Sequence, residues 1–199
     1  MVRIIKEIDQ LKDCPTFLID QYQWTKNYRP QAFGQMALLE NYGFVISMTA
    51  IEKNPLRIYT KDNDPVYKDS ALEAFLNFDL DNFDKGYLNF EMNANGALIS
   101  QFGVKGKRKN VNYFTSCRAF CEATIEDNSW NVLLKIPMEL ICDLYKIEPL
   151  TIGDSFTCNF YKISEDPSIE HYSSFAPIDS KKPNFHLPQL FAKAIIVSN

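Results

Sequence analysis

The sequence predicts an all-β protein of sandwich or barrel type. Apolar residues recur at every second position in most of its periodic segments, as they do in strands with one buried and one polar face. Turn-forming groups punctuate these segments, among them Asn41-Tyr42-Gly43, Asn63-Asp64-Pro65, Asn95-Gly96 and Asp127-Asn128-Ser129. A length of 199 residues with 46% hydrophobic content suits a single domain, 1–199, with a sizeable core.

In chain order, Ile4, Ile5 and Ile8 begin a short strand or arm, and residues 16–20 form another. Residues 21–30, with Trp24 and Tyr28, show no periodicity and read as an ordered loop with Trp24 packed beneath it. Residues 32–40 and 44–50 follow as a hairpin whose second strand is apolar on both sides and so lies inside a sheet. The polar, turn-rich stretch 52–65 then places Tyr67 at the mouth of the next strand. In that strand, 72–78, Leu72, Ala74, Leu76 and Phe78 face one way and Glu73, Phe75 and Asn77 the other. Residues 87–94 repeat the pattern, with Leu88, Phe90 and Met92 opposite Tyr87, Asn89, Glu91 and Asn93. Asn95-Gly96 suits a type I′ turn, which sets Met92 against Ile99 and Glu91 against Ser100. Phe90 would then face Gln101, and this misfit leaves a longer loop around Asn93-Ala94-Asn95-Gly96 open.

The concentrated basic run Lys105-Gly106-Lys107-Arg108-Lys109 reads as a solvated hairpin tip, or more sharply as a site for an anionic sugar. Residues 120–126 and 131–136 form a further strand pair in which Trp130, Val132, Leu134 and Ile136 make a core stripe. Pro137 opens the one convincing helical turn. Residues 155–163 bury Phe156, Cys158 and Phe160 and turn Thr157, Asn159 and Tyr161 outward. If this strand shares a sheet with 87–93, Tyr161 and Asn159 join Asn89, Glu91 and Glu73 on one polar, aromatic-bearing face. A long connection, 164–183, leads to a closing strand, 191–197.

Composition excludes several classes of function. With 21 basic against 25 acidic residues the chain lacks the positive field that nucleic-acid binding requires. No stretch approaches the roughly 20 apolar residues that cross a bilayer. The opening residues are too charged for a signal peptide, so the chain as given is expected to be cytoplasmic, and extracellular only as a processed form. The five cysteines are odd in number and lack Cys-x-x-Cys spacing, which argues against a zinc site or a complete disulfide framework. Cys121 and Cys158 read as small buried hydrophobes. His171 and His186 are the only histidines, and His186 reads as a structural residue bonded to backbone. There is no nucleophile elbow, P-loop, dinucleotide fingerprint or His-rich metal signature.

Val66-Tyr67-Lys68-Asp69-Ser70-Ala71-Leu72-Glu73, followed by Tyr87-Leu88-Asn89-Phe90-Glu91 and Asn95-Gly96, resembles the family 9 carbohydrate-binding modules, especially their stand-alone bacterial relatives. Glu52-Lys53-Asn54-Pro55, Trp130 with Ile136-Pro137, Asn159-Phe160-Tyr161 and Asn184-Phe185-His186-Leu187-Pro188 fit in the same order, so the resemblance spans nearly the whole chain. It implies an antiparallel β-sandwich, immunoglobulin-like or jelly-roll-like with one short helix, that binds mono- or oligosaccharide without cleaving it. Its partner is then a carbohydrate; nucleic acid and membrane are not expected, and no partner enzyme is specified.

A sugar offers apolar C–H patches and a rim of hydroxyls, so its site needs aromatic faces and fixed hydrogen-bonding groups. Tyr67 and Glu73 match an aromatic and a glutamate that contact sugar in that family, although the aromatic there is typically Trp. A packed tyrosine and a solvated glutamate fit these positions equally well. Phe175 is the first choice for a second ring, with Phe185 next, and Asn89, Arg57, Arg118 and Tyr161 are further ligand-binding residues. No cofactor is expected; calcium, which the family often holds, would fall to Asp79, Asp81 and Asp84, though they show no recognised loop pattern. Two other classes remain open. Glu73 and Glu91 could form the carboxyl pair, about 5–5.5 Å apart, of a retaining glycosidase. A haem-binding sandwich of the DOMON type would draw on Met92 and His171.

Overall fold

The computed structural model describes residues 1–198 except Lys26, Asp81 and Lys105. The alternating segments form β1 (Val2–Ile5), β2 (Thr16–Leu18), β3 (Gln31–Leu39), β4 (Gly43–Ile51), β5 (Ala71–Asn77), β6 (Tyr87–Asn93), β7 (Leu98–Gly103), β8 (Lys109–Asn110), β9 (Phe120–Ile125), β10 (Trp130–Pro137), β11 (Ser155–Ser164), β12 (His171–Ser174) and β13 (Ala192–Val197). The helix α1 (Met138–Tyr145) starts directly after Pro137 and stops at Lys146, whose φ of 55° is left-handed.

Hydrogen bonding runs β8-β7-β6-β5-β11-β13-β1-β3-β4-β10-β9, with β12 against β11 and β2 against β3. The path curls into two layers that enclose one apolar interior. Leu72, Leu76, Phe90, Met92, Val132, Leu134, Phe156 and Phe160, the residues that alternation assigns to the interior, are all at most 1% exposed. The sandwich is not wholly antiparallel, because β1 pairs in parallel with both β13 and β3. Parallel neighbours cannot be joined by a tight hairpin. The chain between β1 and β3 supplies the needed crossover, through a 3-10 turn, Ile8–Asp13, and β2.

The β6–β7 register differs by one residue from the type I′ expectation: Met92 pairs with Leu98, Glu91 with Ile99 and Phe90 with Ser100. The longer loop is what forms. Gly96 takes φ of 79°, Gly96 N donates to Asn93 O at 3.0 Å, and the Asn93 side chain accepts from Asn95 N and Ala97 N at 3.0 and 3.2 Å. This side-chain bonding satisfies the turn without a second positive φ. The connection after β11 also holds more structure than its sequence suggests, since it contains β12.

On the outer face of β5, β6 and β11 lies a second apolar layer. Ala71, Phe75, Tyr87, Tyr161 and Ile163 pack there against Ile178, Phe185 and Phe191, which come from the chain between β12 and β13. All seven residues of β5 and of β6 are consequently buried.

Inside the layers sits a buried ion pair. Lys162 Nζ lies 3.5 Å from Glu52 Oε2, with the side chains 0% and 2% exposed. Glu52 also accepts from Trp130 Nε1 at 2.9 Å, from Tyr28 OH at 2.8 Å and from Ser70 Oγ. Burial alone pushes the Glu52 carboxyl up, but Lys162 and these three donors outweigh it and hold the group below its ordinary range. Burial likewise brings Lys162 down to about 8 against the pull of Glu52. His171 Nε2 accepts from Lys162 at 2.7 Å while Nδ1 donates to Ile169 O at 2.6 Å. With both ring nitrogens engaged, and Met92 sealed in the interior, the Met92 and His171 pair offers no haem axial site.

Candidate functional site

The second apolar layer does not cover the whole outer face. At the end nearest the mouth of β5 it leaves a cleft of about 670 Å³, lined by Tyr67, Glu73, Glu91, Gln101, Arg108 and Glu165 together with the segment 183–186. Tyr67 is fixed from behind. Two residues on, Asp69 is fully buried and accepts from Ile58 N, Tyr59 N and Asn93 Nδ2 at 2.9, 3.0 and 2.8 Å. These bonds tie the entry of β5 to the preceding loop and to the end of β6, and leave the Tyr67 ring half-buried at the cleft wall.

Register puts the two acids together. Glu73 pairs directly with Glu91 across β5 and β6, and they are 2% and 7% exposed. Burial raises the Glu73 carboxyl well above the ordinary range, with Glu91 and Glu165 adding to it and Arg108 opposing. Burial raises Glu91 too, offset in part by the Asn89 hydrogen bond and by Arg108. Like charges facing one another on a ladder repel. Held this dry, the pair retains a proton more firmly than a free carboxylate would.

Arg108 supplies the positive charge. Its guanidinium donates to Tyr87 OH at 3.0 Å and to Gln101 Oε1 at 3.3 Å, and lies 3.2 Å from His186 Nε2. Because arginine only donates, His186 Nε2 is the acceptor there. Nδ1 then carries the proton and donates to Tyr87 OH at 2.8 Å. Burial pushes the Tyr87 hydroxyl up to about 12, so it stays neutral and bridges the two. The His186 ring stacks on Phe75 at 5.2 Å, and Phe185 stacks on Tyr161 at 4.1 Å. These two stacks hold the segment 183–186 against the sheet, and Trp24 packs on Phe185 at 6.0 Å while donating to Ser180 O at 2.9 Å just before that segment.

The family model for carbohydrate-binding family 9 matches residues 5–196. The chain belongs to carbohydrate-binding family 9. Solved structures agree on the fold. It is similar over 100% of its length to a proposed carbohydrate-binding protein from Bacteroides uniformis ATCC 8492, with TM-score 0.79, 20% identity and 97% of that chain covered. It is also similar to a family 9 module from Caldicellulosiruptor kristjanssonii in complex with cellotriose, with TM-score 0.72, 13% identity, and 100% and 93% of the two chains covered. The glucose complex of a module from the same organism gives TM-score 0.69 at 13% identity, over 100% and 96%. No curated protein matches the chain.

On this family 9 sandwich the residues singled out from sequence separate into two groups. Tyr67 and Glu73 line the cleft together. Asn89 and Tyr161 share the outer face but are sealed under it, at 0% exposure. Asn89 donates to Glu91 Oε1 at 3.0 Å, and Tyr161 supports Phe185. Phe175 does not reach the cleft. Its backbone N donates to Phe160 O at 2.9 Å, which sets the ring among Phe17 and Phe160 on the interior side of β11. Phe185, the second choice, lines the cleft instead. Arg57 is exposed and donates to Asn95 Oδ1 at 2.8 Å, while Arg118 is exposed beside a separate small depression with Asp62 and Asn110.

Arg108 is the arginine that lines the cleft. Its one sequence signal is the basic run, which also includes Lys105, outside the described residues. His186, which sequence assigns to a backbone contact, stands between Tyr87 and Arg108. Glu165 and Tyr172 join the lining with no local sequence signal, and Asn184 with only its place in the segment Asn184-Phe185-His186-Leu187-Pro188 that resembles the family. Of the three acids named for calcium, Asp81 lies outside the described residues. Asp79 pairs with Lys85 at 3.2 Å and accepts from Asn82 N at 3.1 Å. Among the described residues no group of three or more His, Cys, Asp or Glu is placed to hold a metal ion.

Proposed function

We propose that this protein binds carbohydrate, without cleaving it, in the cleft between Tyr67 and the segment 183–186. The observation that carries the reading is the joint presence, in one family 9 cleft, of an accessible aromatic ring and two carboxyls whose positions are fixed by the β5–β6 ladder. The ring offers a face for sugar C–H groups, and the carboxyls and Arg108 offer acceptors and donors for hydroxyls. A cleft of about 670 Å³ falls within the usual size for small-ligand sites. The solved family 9 modules in complex with cellotriose and glucose support the ligand class.

A glycan array probed with the purified protein, followed by calorimetry on each hit with wild type and Tyr67→Ala, tests this. Binding that weakens on loss of the ring supports it. A hit that binds Tyr67→Ala as tightly as wild type places the site elsewhere.

A further inference from the structure

The cleft holds more acid than base. Glu73 and Glu91 face each other at its floor and Glu165 stands exposed at its rim. Among the described residues that line it, Arg108 carries the single permanent positive charge, and its guanidinium is already shared among Tyr87, Gln101 and His186. A second observation is independent of this charge balance. Glu91 is 7% exposed, and although its Oε1 accepts from Asn89, its buried Oε2 has no hydrogen-bond partner. A buried carboxylate oxygen without a donor is costly and rare in folded proteins. Glu91 lines the cleft, so a ligand there that draws its carboxyl outward supplies the missing donor.

Resting on the reading of this cleft as a sugar site, we propose that it selects amino sugars, saccharides carrying a free protonated amine, whose ammonium group lies against Glu91 and Glu73. An ammonium brings three donors and a positive charge, so it meets both the unpartnered oxygen and the excess of carboxyls. A neutral sugar supplies donors but leaves the two acids facing each other uncompensated. A uronic acid adds a further negative charge, and N-acetylation removes the amine's charge and most of its donors. Ammonium binding also favours the ionised form of the Glu73 and Glu91 pair, so the pair releases a proton on binding. The other titratable and charged groups around that pair are Tyr67 before β5, Tyr87 on β6, Arg108 before β8, Tyr161 on β11, Glu165 after β11, Tyr172 on β12 and His186 before β13.

The test is calorimetry at mildly acidic pH, where the sugar amines are already fully charged, with cellotriose, the β-1,4-linked glucosamine trimer, its N-acetylated form and glucuronate. Each is titrated into the whole chain in two buffers of different ionisation enthalpy. The glucosamine trimer should bind on the order of tenfold more tightly than cellotriose, the margin of a charged over a neutral hydrogen bond, and should release protons where cellotriose does not. Glu91→Gln and, separately, Glu73→Gln should shrink that preference several-fold, with melting curves confirming that each variant folds. Equal affinity for cellotriose and the glucosamine trimer overturns the amino-sugar selection while leaving the sugar site standing. Undiminished preference in both variants also overturns it. If no saccharide of the set binds, the sugar reading falls and takes this inference with it.

Discussion

Glu73 and Glu91 stand opposite one another on adjacent strands, each more than nine-tenths buried, with no third element between them. Two carboxyls in that position stabilise the fold only while they keep a proton. Since burial raises both above their ordinary range, their favourable contribution is complete below the unfolded carboxylate pKa, near 4.3. It is lost as pH rises through the elevated folded values. Glu73→Gln should therefore melt higher than wild type at neutral pH, by on the order of 1–2 kcal/mol, and the advantage should vanish toward mildly acidic pH. Paired thermal melts across that range check it, and a variant less stable than wild type at neutral pH contradicts it.

Tyr67→Ala should act on binding rather than on folding. The ring is half-buried at the cleft wall, and the Asp69 bonds that hold the entry of β5 do not involve it. A loss of about 1–3 kcal/mol in sugar affinity with little change in melting temperature is expected. Calorimetry and a melting scan on the same preparation separate the two effects.

Phe175→Ala should do the reverse. Because the ring packs on Phe17 and Phe160 in the interior, its removal should cost on the order of 1–3 kcal/mol of stability, less than a fully buried phenylalanine. Sugar affinity should be unchanged. Weakened binding in a variant that still folds would return Phe175 to the site.

The Glu52–Lys162 pair invites a double-mutant cycle. Lys162→Met strands a buried carboxylate and Glu52→Gln a buried ammonium, and each should cost about 3–5 kcal/mol. The double variant should cost clearly less than the two added together. Additive losses in denaturant melts would show that the two charges do not depend on each other.

Calcium should leave stability nearly untouched. Asp79 is already engaged by Lys85 and by Asn82 N, which leaves little of its carboxylate for a cation. A chelator should shift the melting temperature little, and a large loss restored by added calcium would reverse the expectation.

The sequence by itself determined what depends on neighbours along the chain. Period two assigned Leu72, Phe90, Val132 and Phe156 to the interior, and Glu73, Glu91 and Asn89 to the opposite face. Asn and Gly marked the turns, Pro137 the start of the helix, and the segment from Val66 to Glu73 pointed to the mouth of the site. Only the tertiary structure decided which of these faces meet and what covers them. A one-residue choice at the Asn93 turn set the β6–β7 register, and in a ladder such a step moves every side chain to a new partner. Arg108 enters the cleft because β8 folds back on β7, and Phe185 reaches it, where Phe175 does not, because β12 pairs with β11 before the chain crosses the outer face. These are contacts between segments far apart in sequence, chosen by how two layers and a covering loop pack together. Local periodicity carries the orientation of a side chain and not the identity of the distant residue that will face it.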